Sequence, residues 1–137
     1  MEAKEILALD VGGKQTGIAR ASNVARLAEP LASVPTEKAL VTLKKYLAEH
    51  ETEAVVVGLP RNLSGEDTEQ TQWIRAWVDK AKPKISALLY WQDEALTSKA
   101  ANNYKLKTNN SLDEHALAAA VILQDFLDGA ETDRIIA

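Results

Sequence analysis

The run Ala54-Val55-Val56-Val57-Gly58 constrains the fold of this chain more than any other feature. Three consecutive β-branched residues favour extended backbone, and apolar side chains on both faces of a strand need cover on both sides. The run therefore reads as a central strand with helices above and below it. Ile6-Leu7-Ala8-Leu9 is a second buried strand, closed by Asp10 and the turn Val11-Gly12-Gly13. Gly17 to Ala21 pairs back across that turn as a hairpin, and Pro30 to Val34 suggests a third short strand.

From there on, helices alternate with strands. Thr36 is the expected N-cap of a helix that carries Ala39, Leu40, Leu43 and Leu47 at helical spacing to His50. After the valine strand, Leu59 to Gly65 reads as a loop. A helix from Glu66 then turns Trp73, Ile74, Trp77 and Val78 inward, and Pro83 stops it. Ile85 to Trp91 is the next strand, ending at Gln92-Asp93-Glu94. Residues 96–104 read as helix, 105–110 as polar loop and Leu112 to Leu127 as an Ala-rich apolar helix. The order predicts one α/β domain over residues 1–128, with a mixed central sheet of antiparallel first strands and then parallel strands, flanked by helices. Residues 129–137 are expected as a frayed tail.

At 137 residues and 46% apolar content the chain suffices for one core. Its net charge of −4 removes the argument for nucleic-acid binding from bulk basicity, so a polyanion would need a local patch. Without cysteine there is no disulfide, no Cys-ligated zinc and no thiol nucleophile. Residues 1–9 do not resemble a signal peptide, and no apolar stretch reaches the ~20 residues that span a bilayer, so a cytoplasmic location without membrane contact is expected.

In open α/β sheets ligands gather outside the carboxyl ends of the strands, where Asp10, the 58–65 loop and Asp93-Glu94 fall. Carboxylates converging from separate strands bind hard cations such as Mg²⁺ or Mn²⁺, and metal pairs support phosphodiester cleavage. Equally, Asp10 can merely begin its turn and Asp93 cap a helix. Asp10-Val11-Gly12 with Gly17 could admit phosphate or metal close to the backbone, although Gly13-Lys14-Gln15 is not a P-loop. His50 suits the dipole of a helix C-terminus, whereas His115 stands beside Asp113 and Glu114 at the head of the Ala-rich helix. Lys99, Lys105 and Lys107 with Tyr104 form a short positive segment that Lys14, Arg20, Arg26 and Arg61 could extend around a site mouth; a solvated helix face explains the lysines equally well. The i,i+4 pair Trp73 and Trp77 reads as core rather than as a base-stacking platform.

Four segments together resemble the YqgF/RuvX family of Holliday junction resolvases. They are Leu9-Asp10-Val11-Gly12-Gly13-Lys14, the stretch Val56-Val57-Gly58-Leu59-Pro60-Arg61-Asn62-Leu63-Ser64-Gly65, Asp93-Glu94-Ala95-Leu96-Thr97-Ser98, and Ala118-Ala119-Ala120-Val121-Ile122-Leu123-Gln124. The resemblance implies an RNase H-like fold and cleavage of phosphodiester bonds with Mg²⁺ or Mn²⁺. The substrate it implies is either a four-way DNA junction, on which a homodimer is expected, or the 5′ end of pre-16S ribosomal RNA. By position, Asp10 matches the first catalytic aspartate, and Asp93-Glu94 match the family's Asp-Glu pair, with Glu94 the better metal-site residue. The last acidic position falls on His115, or on Asp113 if the helix start has gained two residues, so Asp10, Glu94 and Asp113 form the implied metal set. Lys14, Arg61, Asn62, Lys99, Lys105 and Lys107 are the implied nucleic-acid contacts. Gly13, Gln15 and Ala95 depart from the family's Thr, Arg and Arg. A catalytically weakened nucleic-acid or ribosome-assembly binding protein with the same fold is the alternative. An actin-like ATPase, suggested by Asp-x-Gly alone, lacks room here for its second lobe.

Overall fold

In the computed structural model, which describes residues 3–60, 64–93 and 114–137, the valine run lies in β4 (Thr52–Leu59), with a parallel neighbour on each side. Those neighbours are β1 (Glu5–Val11) and β5 (Leu88–Asp93). Outside β1 come β2 (Gln15–Ser22) and β3 (Glu29–Pro35), both antiparallel, and β6 (Ile135–Ile136) lies beyond β5, so the sheet order is β3-β2-β1-β4-β5-β6. Three helices cover the sheet among the described residues: α1 (Thr36–Glu49), α2 (Glu69–Ala81) and α3 (Glu114–Asp128). The mixed α/β architecture predicted from the strand order is therefore present.

The two faces of the sheet differ in side-chain size. One presents Ala8, Ala19, Ala21 and Ala54 with Ile6 and Val56, and α3 lies on it through Ala119, Ala120, Ile122, Leu123 and Phe126. Small residues there let a helix rich in Ala approach the strands closely. The other face presents Leu7, Leu9, Val11, Ile18, Val55 and Val57 to Leu43 of α1 and to Ile74, Val78 and Ala81 of α2. Leu7, Leu9 and Leu43 are fully covered, each contributing about 1.5–3 kcal/mol of transfer free energy.

Several boundaries differ from the sequence expectation. Pro35, not Thr36, caps α1, because the Thr36 hydroxyl is used elsewhere, donating to the Gly12 carbonyl at 2.6 Å. Helix α2 starts at Glu69 rather than Glu66: Thr68 caps it in a reciprocal box with Thr71, and the chain before it turns at Gly65, whose φ of 78° favours glycine. Trp73 points outward, 44% exposed, because Thr71, Ile74, Val78 and Ala81 define the buried stripe and Trp73 lies about 100° round the helix from Ile74. Strand β5 begins at Leu88, since Lys82–Lys84 form a 3-10 turn and Ile85 plugs the core beneath it. The tail expected to fray instead forms a 3-10 turn (Glu131–Asp133) and the two residues of β6, which cover part of the free edge of β5. The helix expected at 96–104, the 105–110 loop and the first residues of the Ala-rich helix lie outside the described residues.

Candidate active site

Side chains alternate across a strand, so Ile6, Ala8 and Asp10 share the α3 face of β1, and Asp10 stands at its carboxyl end. Opposite Asp10 in the hairpin register is Gly17. A Cβ on Gly17 would lie 1.8 Å from the His115 carbonyl oxygen and 2.7 Å from the Ala116 nitrogen. The bare glycine backbone is thus the seat on which the first turn of α3 rests, and it delivers His115 to the neighbourhood of Asp10. Gly17 does admit a close approach, as its place in the hairpin suggests, but what approaches is the backbone of this chain's own last helix. Burial pushes the Asp10 carboxyl above the ordinary aspartate range, and the charge of His115 pulls it partly back. Lys14 sits exposed on the same turn.

The turn that carries Asp10 is braced. Gly12 N–H donates to the Gln15 carbonyl at 3.0 Å, Thr36 N–H donates to the Lys14 carbonyl at 2.8 Å, and the Thr16 and Thr36 hydroxyls lie 2.9 Å apart. Both threonines are buried, so α1 and the β1–β2 turn are locked together. Gln15 accepts a hydrogen bond from Ser33 at 3.1 Å. At the end of β4, the Thr71 hydroxyl donates to the Pro60 carbonyl, fastening the head of α2 to the carboxyl end of that strand. Arg75 pairs with Asp67 at 2.9 Å and lies over the Trp91 ring, tying the residues just before α2 to β5. Sequence patterns do not mark Thr16, Thr71 or Arg75 for these roles, because their partners are distant in the chain or reside on the backbone.

Of the residues singled out from sequence, Asp10 and His115 are brought together. Asp93, the last residue of β5, lines a cavity of about 200 Å³ together with Gln92 and with Asp125 and Phe126 of α3. Arg20 and Arg26, expected near the site mouth, are employed elsewhere. Arg20 pairs with Glu5 and Glu29 near the opposite end of the sheet, and Arg26 donates to the Leu127 carbonyl at the far end of α3. His50 stacks on Tyr46 with ring centroids 3.9 Å apart, also far from Asp10. Glu94, Asp113, Arg61, Asn62, Lys99, Lys105 and Lys107 lie outside the described residues. Gln124, in the last of the quoted segments, supports the fold rather than the site. Its carbonyl oxygen accepts from Ala28 N–H at 2.9 Å and its amide donates to the Arg26 carbonyl at 3.3 Å.

Among the described residues, no group of three or more His, Asp or Glu side chains could hold an ion. What they supply is one partly buried carboxylate with an imidazole beside it. That pair fits part of a divalent-cation site, because a cation at the carboxylate would offset the cost of burying it.

A strand order that runs antiparallel through β3, β2 and β1 and parallel through β4 and β5, with an aspartate ending β1 under the head of the last helix, defines an RNase H-like protein. Among solved structures the chain superposes on Thermus thermophilus RuvC in complex with a Holliday junction substrate, with a TM-score of 0.65 at 14% identity over 98% of this chain and 99% of that one. A second structure of Thermus thermophilus RuvC gives 0.58 at 13% identity over 97% of this chain and 99% of that one. The chain belongs to the RuvX family, described as Holliday junction resolvase, whose model matches residues 4–129. That is a family of nucleases, hydrolases that act on nucleic acid. Curated relatives carry the name "Putative pre-16S rRNA nuclease". The one from Rickettsia typhi is 33% identical over 90% of this chain and 84% of its own length, and the one from Roseiflexus sp. is 34% identical over 93% and 96%. No helix among the described residues is long and apolar enough to cross a membrane.

Proposed function

We propose that this protein is a divalent-metal-dependent endonuclease that trims pre-16S ribosomal RNA in the cytoplasm, with Asp10 as the central carboxylate. The observation that carries the reading is the seat formed by Gly17, which holds His115 beside Asp10 at the carboxyl end of β1. Asp10 and Glu94 hold the ion, Mg²⁺ or Mn²⁺, with Asp113 as the further carboxylate of the set. Asp93, next to Glu94 in the family's Asp-Glu pair, is a further acidic residue of the catalytic set. When bound, the ion polarises the scissile phosphate and activates water.

His115 stands where the resemblance expects an acid. Imidazole is a softer ligand than carboxylate and binds Mg²⁺ less readily, so its role here is that of the general base that takes the proton from the attacking water; as a ligand it would instead shift the metal preference. Lys14, on the rigid turn next to Asp10, neutralises substrate phosphate, as do Arg61, Lys99, Lys105 and Lys107, while the Asn62 amide donates hydrogen bonds to the backbone. The names of the curated relatives favour ribosomal RNA over the four-way junction. The family description and the RuvC complex support the junction as a second substrate, on which two-fold symmetry would call for a homodimer.

The test is cleavage of a labelled pre-16S RNA fragment and of a four-way DNA junction, side by side, with Mg²⁺ or Mn²⁺, using wild type and Asp10→Asn. Products from RNA alone that vanish in the variant are expected. Symmetric junction nicks that vanish would move the substrate to DNA. Cleavage that survives in Asp10→Asn, or no product with either metal, would overturn the proposal, and the latter would leave a nucleic-acid binding protein that has lost its chemistry.

A further inference from the structure

We infer that the outer face of α2 is a second contact surface for the nucleic acid, a strip on which an unpaired base stacks on Trp73 while lysines hold the neighbouring phosphates. The inference rests on nucleic acid being the partner and does not depend on hydrolysis. Trp73 is 44% exposed and lies outside the buried stripe of α2, so its ring is available to a partner without disturbing the core. Trp73, Ala76, Trp77 and Lys80 line a shallow groove of about 190 Å³. Trp73 and Lys80 lie within about 20° of one another on the helix and about 10 Å apart along its axis, so the indole and the ammonium form one row. Exposed Lys82 and Lys84 continue the positive charge past the end of α2.

Charge decides the occupant. With Arg75 taken up by Asp67, residues 69–84 present Lys80, Lys82 and Lys84 against two carboxylates, whereas residues 114–134, covering the other face of the sheet, carry one cation against five. In a chain of net charge −4, the three exposed lysines at this end of α2 draw a polyanion to it. Of the two acids, Asp79 lies about 100° round the helix from Lys80, and Glu69 falls at the other end of the row. Aromatic rings interleaved with lysines are what sequence-tolerant binding of single strands requires, the ring taking the base and the lysines the backbone. The row starts one turn inside α2, whose head is tied to Pro60 at the carboxyl end of β4, so a strand leaving the sheet edge near Asp10 can continue along it.

The probe is a fluorescently labelled 15-nucleotide oligouridylate, titrated with the full chain at several salt concentrations and read by anisotropy. Trp73→Ala should raise Kd at least about five-fold and Trp73→Phe should restore most of the loss, because stacking needs a ring rather than indole itself. Lys80→Glu combined with Lys84→Glu should weaken binding and flatten the dependence of log Kd on log salt by about 0.7 per lost phosphate contact. All three positions are exposed, and circular dichroism spectra should match wild type. Binding through Trp73 without any cleavage would leave this inference standing while the hydrolytic reading fails; cleavage with unchanged affinity in Trp73→Ala would do the reverse. No measurable binding by wild type overturns the inference, and so does a dimer in sedimentation that Trp73→Ala dissociates without changing affinity.

Discussion

Gly17 and His115 occupy one space: a methyl group on Gly17 would lie 1.8 Å from the His115 carbonyl oxygen. Both sides of that contact are backbone, so no rotamer change relieves it. Gly17→Ala is therefore expected to lower stability by about 3 kcal/mol, and in whatever remains folded it should displace the head of α3 and reduce cleavage. At Gly13, on the neighbouring turn, an added methyl meets nothing within 4 Å, so Gly13→Ala should change stability by less than about 0.5 kcal/mol. Urea denaturation of the two variants measures the contrast, and equal midpoints would show that α3 is not seated on Gly17.

Asp10 can be separated from the fold in the same way. Its carboxylate is held partly out of water, and burial disfavours its charged form. Asp10→Asn removes that cost while keeping the shape. Cleavage should vanish while stability at neutral pH holds or rises by about 1 kcal/mol, the pattern of a group kept for chemistry rather than for folding. A variant markedly less stable than wild type would mark Asp10 as a structural turn residue instead.

Local signals in the sequence suffice for the sheet. Val55 to Val57 require cover on both faces, and Ile6 to Asp10 followed by glycines requires a turn, so β1, β2 and β4 and the position of Asp10 are legible. The partner of Asp10 is legible only through family resemblance, since His115 reaches it by the fit of α3 onto Gly17, a contact across about a hundred residues. Trp73 escapes a local reading because an i,i+4 aromatic pair looks the same whether the stripe faces in or out; Ile74, Val78 and Ala81 decide the matter only when taken together. Thr36 satisfies the local rule for an N-cap, yet its hydroxyl finds a better acceptor on a distant turn. The tail looks frayed in sequence because Ile135 and Ile136 gain their order from the edge of β5, which no local pattern displays.

The Thr36 brace is testable by removing one oxygen. Thr36→Val keeps the volume but leaves the Gly12 carbonyl and the buried Thr16 hydroxyl without this partner, at a cost of about 1–3 kcal/mol. Because the braced turn carries Asp10 and Lys14, cleavage should fall as well. Thr16→Val in the same chain removes one of the two stranded groups, so the double variant should lose less than the sum of the single losses. Strict additivity in denaturation midpoints would mean that the two hydroxyls do not interact.

At the other end of the sheet, Glu5 links three elements, accepting from Arg20 Nε at 2.7 Å and from the Tyr46 hydroxyl at 2.5 Å. The Arg20 guanidinium holds the Glu5 carboxyl below the ordinary glutamate range, against the opposing effect of burial. As pH falls, the unfolded chain takes up this proton first, so the stability from the pair is full above the ordinary value of 4.5 and is lost as pH drops through the depressed folded value. Tyr46 has the opposite sense. Burial and its bond to Glu5 push the phenol up to about 12 from 10.0, so the unfolded chain releases that proton first and stability falls as pH rises from about 10 to about 12. Melting temperature against pH should then show an acid limb that flattens in Glu5→Gln and an alkaline limb that flattens in Tyr46→Phe. Curves for the variants that merely run parallel to wild type would mean that neither group is coupled to folding.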